Sequence, residues 1–191
     1  MRMKDDFRIL AKFYDLIIKP KLEISWLPYI CDSKNKFILD VGGGTGRIAE
    51  VLQKNGCEVV IFDPSIYMLR SDKNNHHNFM RVCGEVETIT FMENQFDNII
   101  MVDTLHHVKD QKIAIESILN VLKPGGVFIL EEPDIRKFSV KLIALLEKLM
   151  FMRSKFLYPD EIQRIFSQKN YSIKMIEEDY NIYFIVQKIE M

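Results

Sequence analysis

The chain alternates between compact apolar runs and stretches whose apolar residues recur every three or four positions. Phe37-Ile38-Leu39 with Val41, Val59-Val60-Ile61-Phe62, Ile99-Ile100-Met101-Val102 and Val127-Phe128-Ile129-Leu130 are too short for helices and read as buried strands. Between them, Ile48, Ala49, Val51 and Leu52 keep helical spacing, and a helix at 110–122 carries Ile113, Ile115, Ile118, Leu119 and Leu122. Strands alternating with helices predict an α/β domain. Ahead of the first strand, Phe7, Leu10, Ala11 and Tyr14 share a helical face, and Pro20 and Pro28 punctuate the stretch between that face and the strand. Beyond the last of these strands, Ile135, Phe138, Leu142, Leu145, Leu146 and Leu149 form one face of an amphipathic helix predicted over 135–151. Pro159-Asp160-Glu161 opens a further helix, and two strands near 172–177 and 182–188 face each other across a short turn at 179–181. The polar stretch 71–80, with His76 and His77, reads as a surface loop.

The first strand runs into Asp40-Val41-Gly42-Gly43-Gly44-Thr45-Gly46 and then a helix. The glycines permit a tight turn with no Cβ to hold the backbone away from a ligand, and the turn delivers that ligand to a helix N-terminus. A dinucleotide fingerprint needs glycine at the sixth position from Gly42, where Arg47 stands. An acid before bare backbone amides instead suits a ligand bearing both an ammonium and a carboxylate. The second strand ends in Asp63-Pro64-Ser65, 17 residues after Gly46. There a carboxylate can accept two hydrogen bonds from a ribose diol, the alternative being a helix cap before Ile66.

Composition narrows the setting. A chain of 191 residues, 48% hydrophobic and 28% charged, is read as a single soluble domain. A net charge of −1 gives no positive field for nucleic acid. The three cysteines, Cys31, Cys57 and Cys83, are widely separated and lack metal-ligand spacing, so no metal is expected and a reducing cytoplasm fits. No apolar run approaches the roughly 20 residues that span a bilayer. Charges throughout the first 15 residues argue against a signal peptide.

The Asp40, Gly42, Gly44, Gly46 pattern closely resembles the first motif of the class I S-adenosylmethionine-dependent methyltransferases. Gly84-Glu85-Val86 resembles their segment beside the adenine amino group, although Asp and Ala are commoner where Glu85 and Val86 stand. Phe96-Asp97 and Asp103-Thr104-Leu105-His106-His107-Val108 resemble the methyltransferase-11-like group, as does Lys123-Pro124-Gly125-Gly126 before the fifth strand. The resemblance covers about 35–133 and implies a Rossmann-like, seven-stranded, mostly parallel sheet with helices on both faces and a C-terminal antiparallel hairpin strand. It divides the domain into an N-terminal helical lid (1–33), a cofactor-binding core (35–133), an amphipathic lid-like helix (134–158) and a closing helix with hairpin (159–191). It further implies S-adenosylmethionine as cofactor, S-adenosylhomocysteine as product, and a cofactor site of Tyr14, Asp40, Gly42, Gly43, Gly44, Gly46, Asp63, Pro64, Met68, Gly84, Glu85, Val86, Asp103 and Thr104. Tyr14-Asp15 matches a "YD" that helps close this site in small-molecule methyltransferases, or else Tyr14 is only the last apolar residue of its helix.

A methyl on a sulfonium is already electrophilic, so the protein must mainly align the reacting atoms and exclude water. A base is needed only if the acceptor has a proton to lose, and His106 and His107 stand where one would act, or else they pack the cofactor and anchor the loop. A small, rather apolar metabolite is the expected acceptor. Quinone-biosynthesis C-methyltransferases share the layout but typically carry Arg-Asn where His106-His107 stand. Within 134–158 the basic residues Arg136, Lys137, Lys141, Lys148, Arg153 and Lys155 outnumber Asp134 and Glu147. That leaves open a peripheral membrane contact beside the simpler reading of a solvated cationic face; stable insertion and nucleic-acid binding are not expected. The rival readings are a non-catalytic cofactor-binding regulator or partner, a quinone-biosynthesis C-methyltransferase relative, and an enzyme of the same fold making a different transfer such as aminopropyl transfer; the oligomeric state is unassigned.

Overall fold

The computed structural model describes residues 24–31, 36–71, 79–149, 154–166 and 170–189. The elements in order are α1 (Leu27–Ile30), β1 (Phe37–Val41), α2 (Arg47–Lys54), β2 (Glu58–Asp63), α3 (Ile66–Arg70), β3 (Met80–Cys83), β4 (Phe96–Val102), α4 (Gln111–Val121), β5 (Leu122–Pro133), α5 (Phe138–Leu149), α6 (Pro159–Ile165), β6 (Tyr171–Glu178) and β7 (Asn181–Lys188). Short 3₁₀ turns occupy Val86–Thr88 and Leu105–His107.

The strands form one seven-stranded sheet in the order β3-β2-β1-β4-β5-β7-β6. β1 to β5 pair in parallel, and β7 runs antiparallel to both β5 and β6. Side chains along each strand alternate between two cores. Leu39, Val60, Ile99, Phe128 and Phe184 face α4 and α6, while Ile38, Val59, Ile61, Ile100 and Ile129 face Trp26, Ile30 and α2. Burial on both faces is why these strands read as unbroken apolar runs rather than alternating ones. The strand order reverses between β1 and β4, so the carboxyl ends of β1, β2 and β4 open a crevice there.

Three local readings change. The edge strand β3 begins at Met80, within the stretch read as loop; four residues of mixed polarity carry too little pattern to reveal a strand. The Lys-Pro-Gly-Gly turn does not precede β5 but interrupts its pairing. Phe96 pairs with Leu122 and Asn98 with Val127, so the turn bulges out with Gly125 at φ 75°. Gly126 tolerates no side chain there, since a Cβ would lie 2.5 Å from the Asp97 carbonyl. Finally, α5 starts at Phe138 rather than 135. Asp134 accepts hydrogen bonds from the Arg136 backbone N–H (3.0 Å) and guanidinium (2.8 Å), closing a turn first.

Candidate cofactor crevice

The Asp40–Gly46 turn leaves β1 and enters α2 with Gly42, Gly44 and Gly46 at φ 73°, 55° and 92°. Gly42 is enforced from across the crevice, because a Cβ there would stand 2.2 Å from the Thr104 hydroxyl oxygen. Its N–H donates to the Phe62 carbonyl (2.7 Å), tying the loop to β2. Gly43 lies against the Asp40 carboxyl, where a Cβ would be 2.6 Å from Oδ2. Asp40, Gly44, Arg47, Met68 and Val102 are among the residues lining a cleft that opens to solvent.

Asp40 is only 2% exposed, and its Oδ2 has no hydrogen-bond partner among the described residues. Burial pushes its pKa up to about 7; the nearby Asp63 charge adds to the rise and Arg47 opposes it. Asp63, at the end of β2, accepts from the Gly44 N–H (3.0 Å) and the Ser65 N–H (2.7 Å). The cap of α3 is Ser65, whose Oγ accepts from the Met68 N–H. Met68 is buried behind Gly44, Pro64 is exposed, and Gly84 donates its N–H to the Asp63 carbonyl (3.2 Å). Glu85 is exposed, with its carboxyl raised by partial burial and by Glu87; Val86 is buried in its 3₁₀ turn.

The other wall follows β4. Asp103 adopts φ 49° and has its pKa raised to about 6, first by burial and then by the charges of Glu132 and Glu131. The Thr104 hydroxyl donates to the Val102 carbonyl (2.8 Å). Sequence reading missed the residue that organises this wall. Glu132, at the end of β5 and 4% exposed, accepts from the N–H groups of Thr104 (2.9 Å), Leu105 (2.7 Å) and His106 (3.3 Å). It also bonds His106 Nδ1 at 2.6 Å. Its neighbour Glu131 accepts from the Trp26 indole N–H (2.6 Å) and from Asn181 (2.6 Å). The signal was Glu131-Glu132 closing an apolar run, since two acids on a buried strand end must be partnered.

His106 is buried, stacked on Phe156 at 4.3 Å, with its carbonyl accepting from the Lys155 N–H (2.7 Å). His107 shares a hydrogen bond with Ser154 (3.1 Å), and burial beside His106 lowers its pKa to about 3. Gln111 ties both segments together by donating to the carbonyls of Leu105 and Lys155. Thus the predicted site residues from Asp40 to His107 lie at the carboxyl ends of β1 to β4 or in the turns just beyond them, with Met68 one step further on, in α3. Tyr14, His76, His77 and the 1–23 part of the expected lid fall outside the described residues. Among the described residues, no cluster of His, Cys, Asp and Glu is arranged to hold a metal, and no helix is long and apolar enough to cross a membrane.

This topology and glycine turn define a Rossmann-like methyltransferase fold. A family model described as "Methyltransferase domain" matches residues 39–130. The chain is 30% identical to a ubiquinone biosynthesis O-methyltransferase of Coxiella burnetii over 80% of its own length and 76% of the relative's. It is 33% identical to a demethylmenaquinone methyltransferase of Renibacterium salmoninarum over 50% of its own length, but spans only 40% of that relative. A SAM-dependent methyltransferase from Archaeoglobus fulgidus has the same fold, with a TM-score of 0.73 at 13% identity over 95% of this chain and 94% of that one. The chain belongs to the class I S-adenosylmethionine-dependent methyltransferases. The crevice fits that cofactor: the orphaned Asp40 oxygen awaits a donor, and the side-chain-free loop leaves room beside it.

Proposed function

We propose that this protein methylates a small, rather apolar acceptor, and that a phenolic quinone precursor is the chemical class to try first. The observation that carries the reading is the apolar stripe of α5. Phe138, Leu142 and Leu145 are 83%, 50% and 53% exposed on a helix that begins five residues past the carboxyl end of β5. Such a face is suited to an apolar acceptor, and the named relatives are a ubiquinone biosynthesis O-methyltransferase and a demethylmenaquinone methyltransferase. Tyr14 is proposed as the second border of that pocket.

Asp40 would take the cofactor's ammonium, the Gly42–Gly46 amides its carboxylate, Asp63 the ribose hydroxyls, and Met68 with Gly84, Glu85 and Val86 the adenine. Asp103 and Thr104 would close the side toward the acceptor. When bound, S-adenosylmethionine supplies an electrophilic methyl on its sulfonium. The protein's share is to align the acceptor and keep water out. Where the acceptor is a hydroxyl, His106 is the better base of the pair. Its Nδ1 lies 2.6 Å from the Glu132 carboxylate, which orients the ring and supports the charge it would gain on taking a proton. His107, with its pKa near 3, is too weak a base for that task.

The test is transfer of labelled methyl from the cofactor to polyprenylated catechols and demethylmenaquinone. Label recovered in one organic product supports the reading. Tight S-adenosylhomocysteine binding without label in either class, or in a metabolite extract, would replace it with the non-catalytic reading. Removing residues 1–20 is expected to abolish transfer while cofactor binding persists.

A further inference from the structure

Cys31 and Cys57 stand 26 residues apart in the chain, and the fold brings their sulfurs to 3.1 Å. Cys31 closes α1, its N–H donating to the Leu27 carbonyl (3.0 Å). Cys57 precedes β2, placed by the left-handed Gly56 (φ 84°), with its N–H on the Leu52 carbonyl (3.2 Å). Both side chains are thiols; Cys31 is partly exposed and Cys57 buried. They lie at the amino ends of β1 and β2, opposite the crevice. The third cysteine, Cys83, ends β3 on the crevice side and is exposed.

We propose that Cys31 and Cys57 form an oxidisable dithiol, a modification site that a peroxide converts to a disulfide binding the 24–31 strap to the cofactor-binding unit. The strap already crosses one face of the sheet under non-covalent ties. The Trp26 indole bonds Glu131 near the crevice end, and the Ile30 carbonyl accepts from Asn98 Nδ2 (2.8 Å) toward the other. The sulfur–sulfur approach supplies a third point, at Cys31 itself. The partly exposed Cys31 is the entry point: its thiolate attacks the peroxide O–O bond, giving a sulfenic acid and releasing hydroxide. The Cys57 sulfur then attacks the Cys31 sulfur, forming the S–S bond and expelling the second oxygen as water. Both thiol protons end in water, and the peroxide takes up the two electrons.

The closed loop, residues 31–57, contains β1, the glycine turn and α2. Cross-linking it restricts the unfolded chain across the whole unit that carries the cofactor motif, so oxidation raises stability. Because the link lies at the far end of the strands, the crevice keeps its shape.

The full-length protein is treated with a small molar excess of hydrogen peroxide, alkylated, and mapped without reduction. Expected is one cross-link joining the Cys31 and Cys57 peptides with loss of two hydrogens, and Cys83 recovered alkylated. The melting temperature rises by several degrees, dithiothreitol reverses it, and neither Cys31→Ser nor Cys57→Ala shows the rise. Affinity for S-adenosylhomocysteine stays within about twofold on oxidation. A cross-link through Cys83, or a Cys31–Cys57 link only in denaturant, overturns the proposal, as does loss of cofactor binding on oxidation. The peptide map does not depend on methyl transfer, so failure of the functional reading leaves it standing.

Discussion

The two walls of the crevice are assembled over different distances along the chain. On the β1–β2 side the decisive contacts are short in sequence: Gly44 meets Asp63 at a separation of 19 and Ser65 meets Asp63 at 2. On the β4–β5 side Glu132 reaches His106 across 26 residues, Asn181 reaches Glu131 across 50, and Trp26 reaches Glu131 across 105. The first wall needs only one loop and one strand end, which leave a compact motif. The second is held by buried carboxylates whose donors come from separate parts of the fold. Local sequence therefore records the β1–β2 wall, while the β4–β5 wall is written in tertiary contacts.

The hardest test of this contrast is Glu132→Ala. It strands three backbone N–H groups and the His106 ring in a buried setting, at an expected cost of about 3–5 kcal/mol in urea unfolding. Glu132→Gln should recover much of it, because its carbonyl oxygen still accepts. An alanine variant as stable as the parent would mean the β4–β5 wall does not depend on this hub.

Asp40 separates function from stability on the other wall. Its carboxyl titrates near 7 in the fold and near 3.8 when unfolded, so between those values the folded state binds more protons. Stability of the ligand-free protein should thus fall as pH rises from about 4 to 7. Asp40→Asn should remove that slope and stabilise the ligand-free protein at pH 8 by up to about 4 kcal/mol. Cofactor affinity should move oppositely in the parent, growing as pH rises through 7, and collapse in the variant. A variant that binds normally at pH 8 would remove Asp40 from the site.

Asp63→Ala should weaken S-adenosylhomocysteine binding by about 2–3 kcal/mol in calorimetry, through the lost hydroxyl acceptors. Because Ser65 rather than Asp63 caps α3, the helix should persist by circular dichroism. Unchanged affinity would reduce Asp63 to a brace for the Gly44 turn. The smallest structural effect belongs to Phe138→Ser. An 83% exposed ring contributes little to folding, so stability should shift by less than about 0.5 kcal/mol while KM for an apolar acceptor rises. A shift in melting without a change in KM would mean α5 packs on protein rather than on substrate.

What the sequence determined by itself was whatever depends on neighbours in the chain: the buried strands from their apolar runs, the glycine turn, the acid that ends β2, and with them the fold and cofactor class. Each is a short-range requirement, since backbone geometry and strand burial act over a few residues. Tertiary structure alone decided the rest. It put β3 on the sheet edge although Met80–Cys83 carries almost no pattern, and it turned the Lys-Pro-Gly-Gly segment into a bulge because β4 pairs on both sides of it. It made Glu132 the anchor of His106 and set Cys31 against Cys57. No spacing rule announces these pairings, because each partner lies on a different element and the distance between them exists only once the sheet has formed.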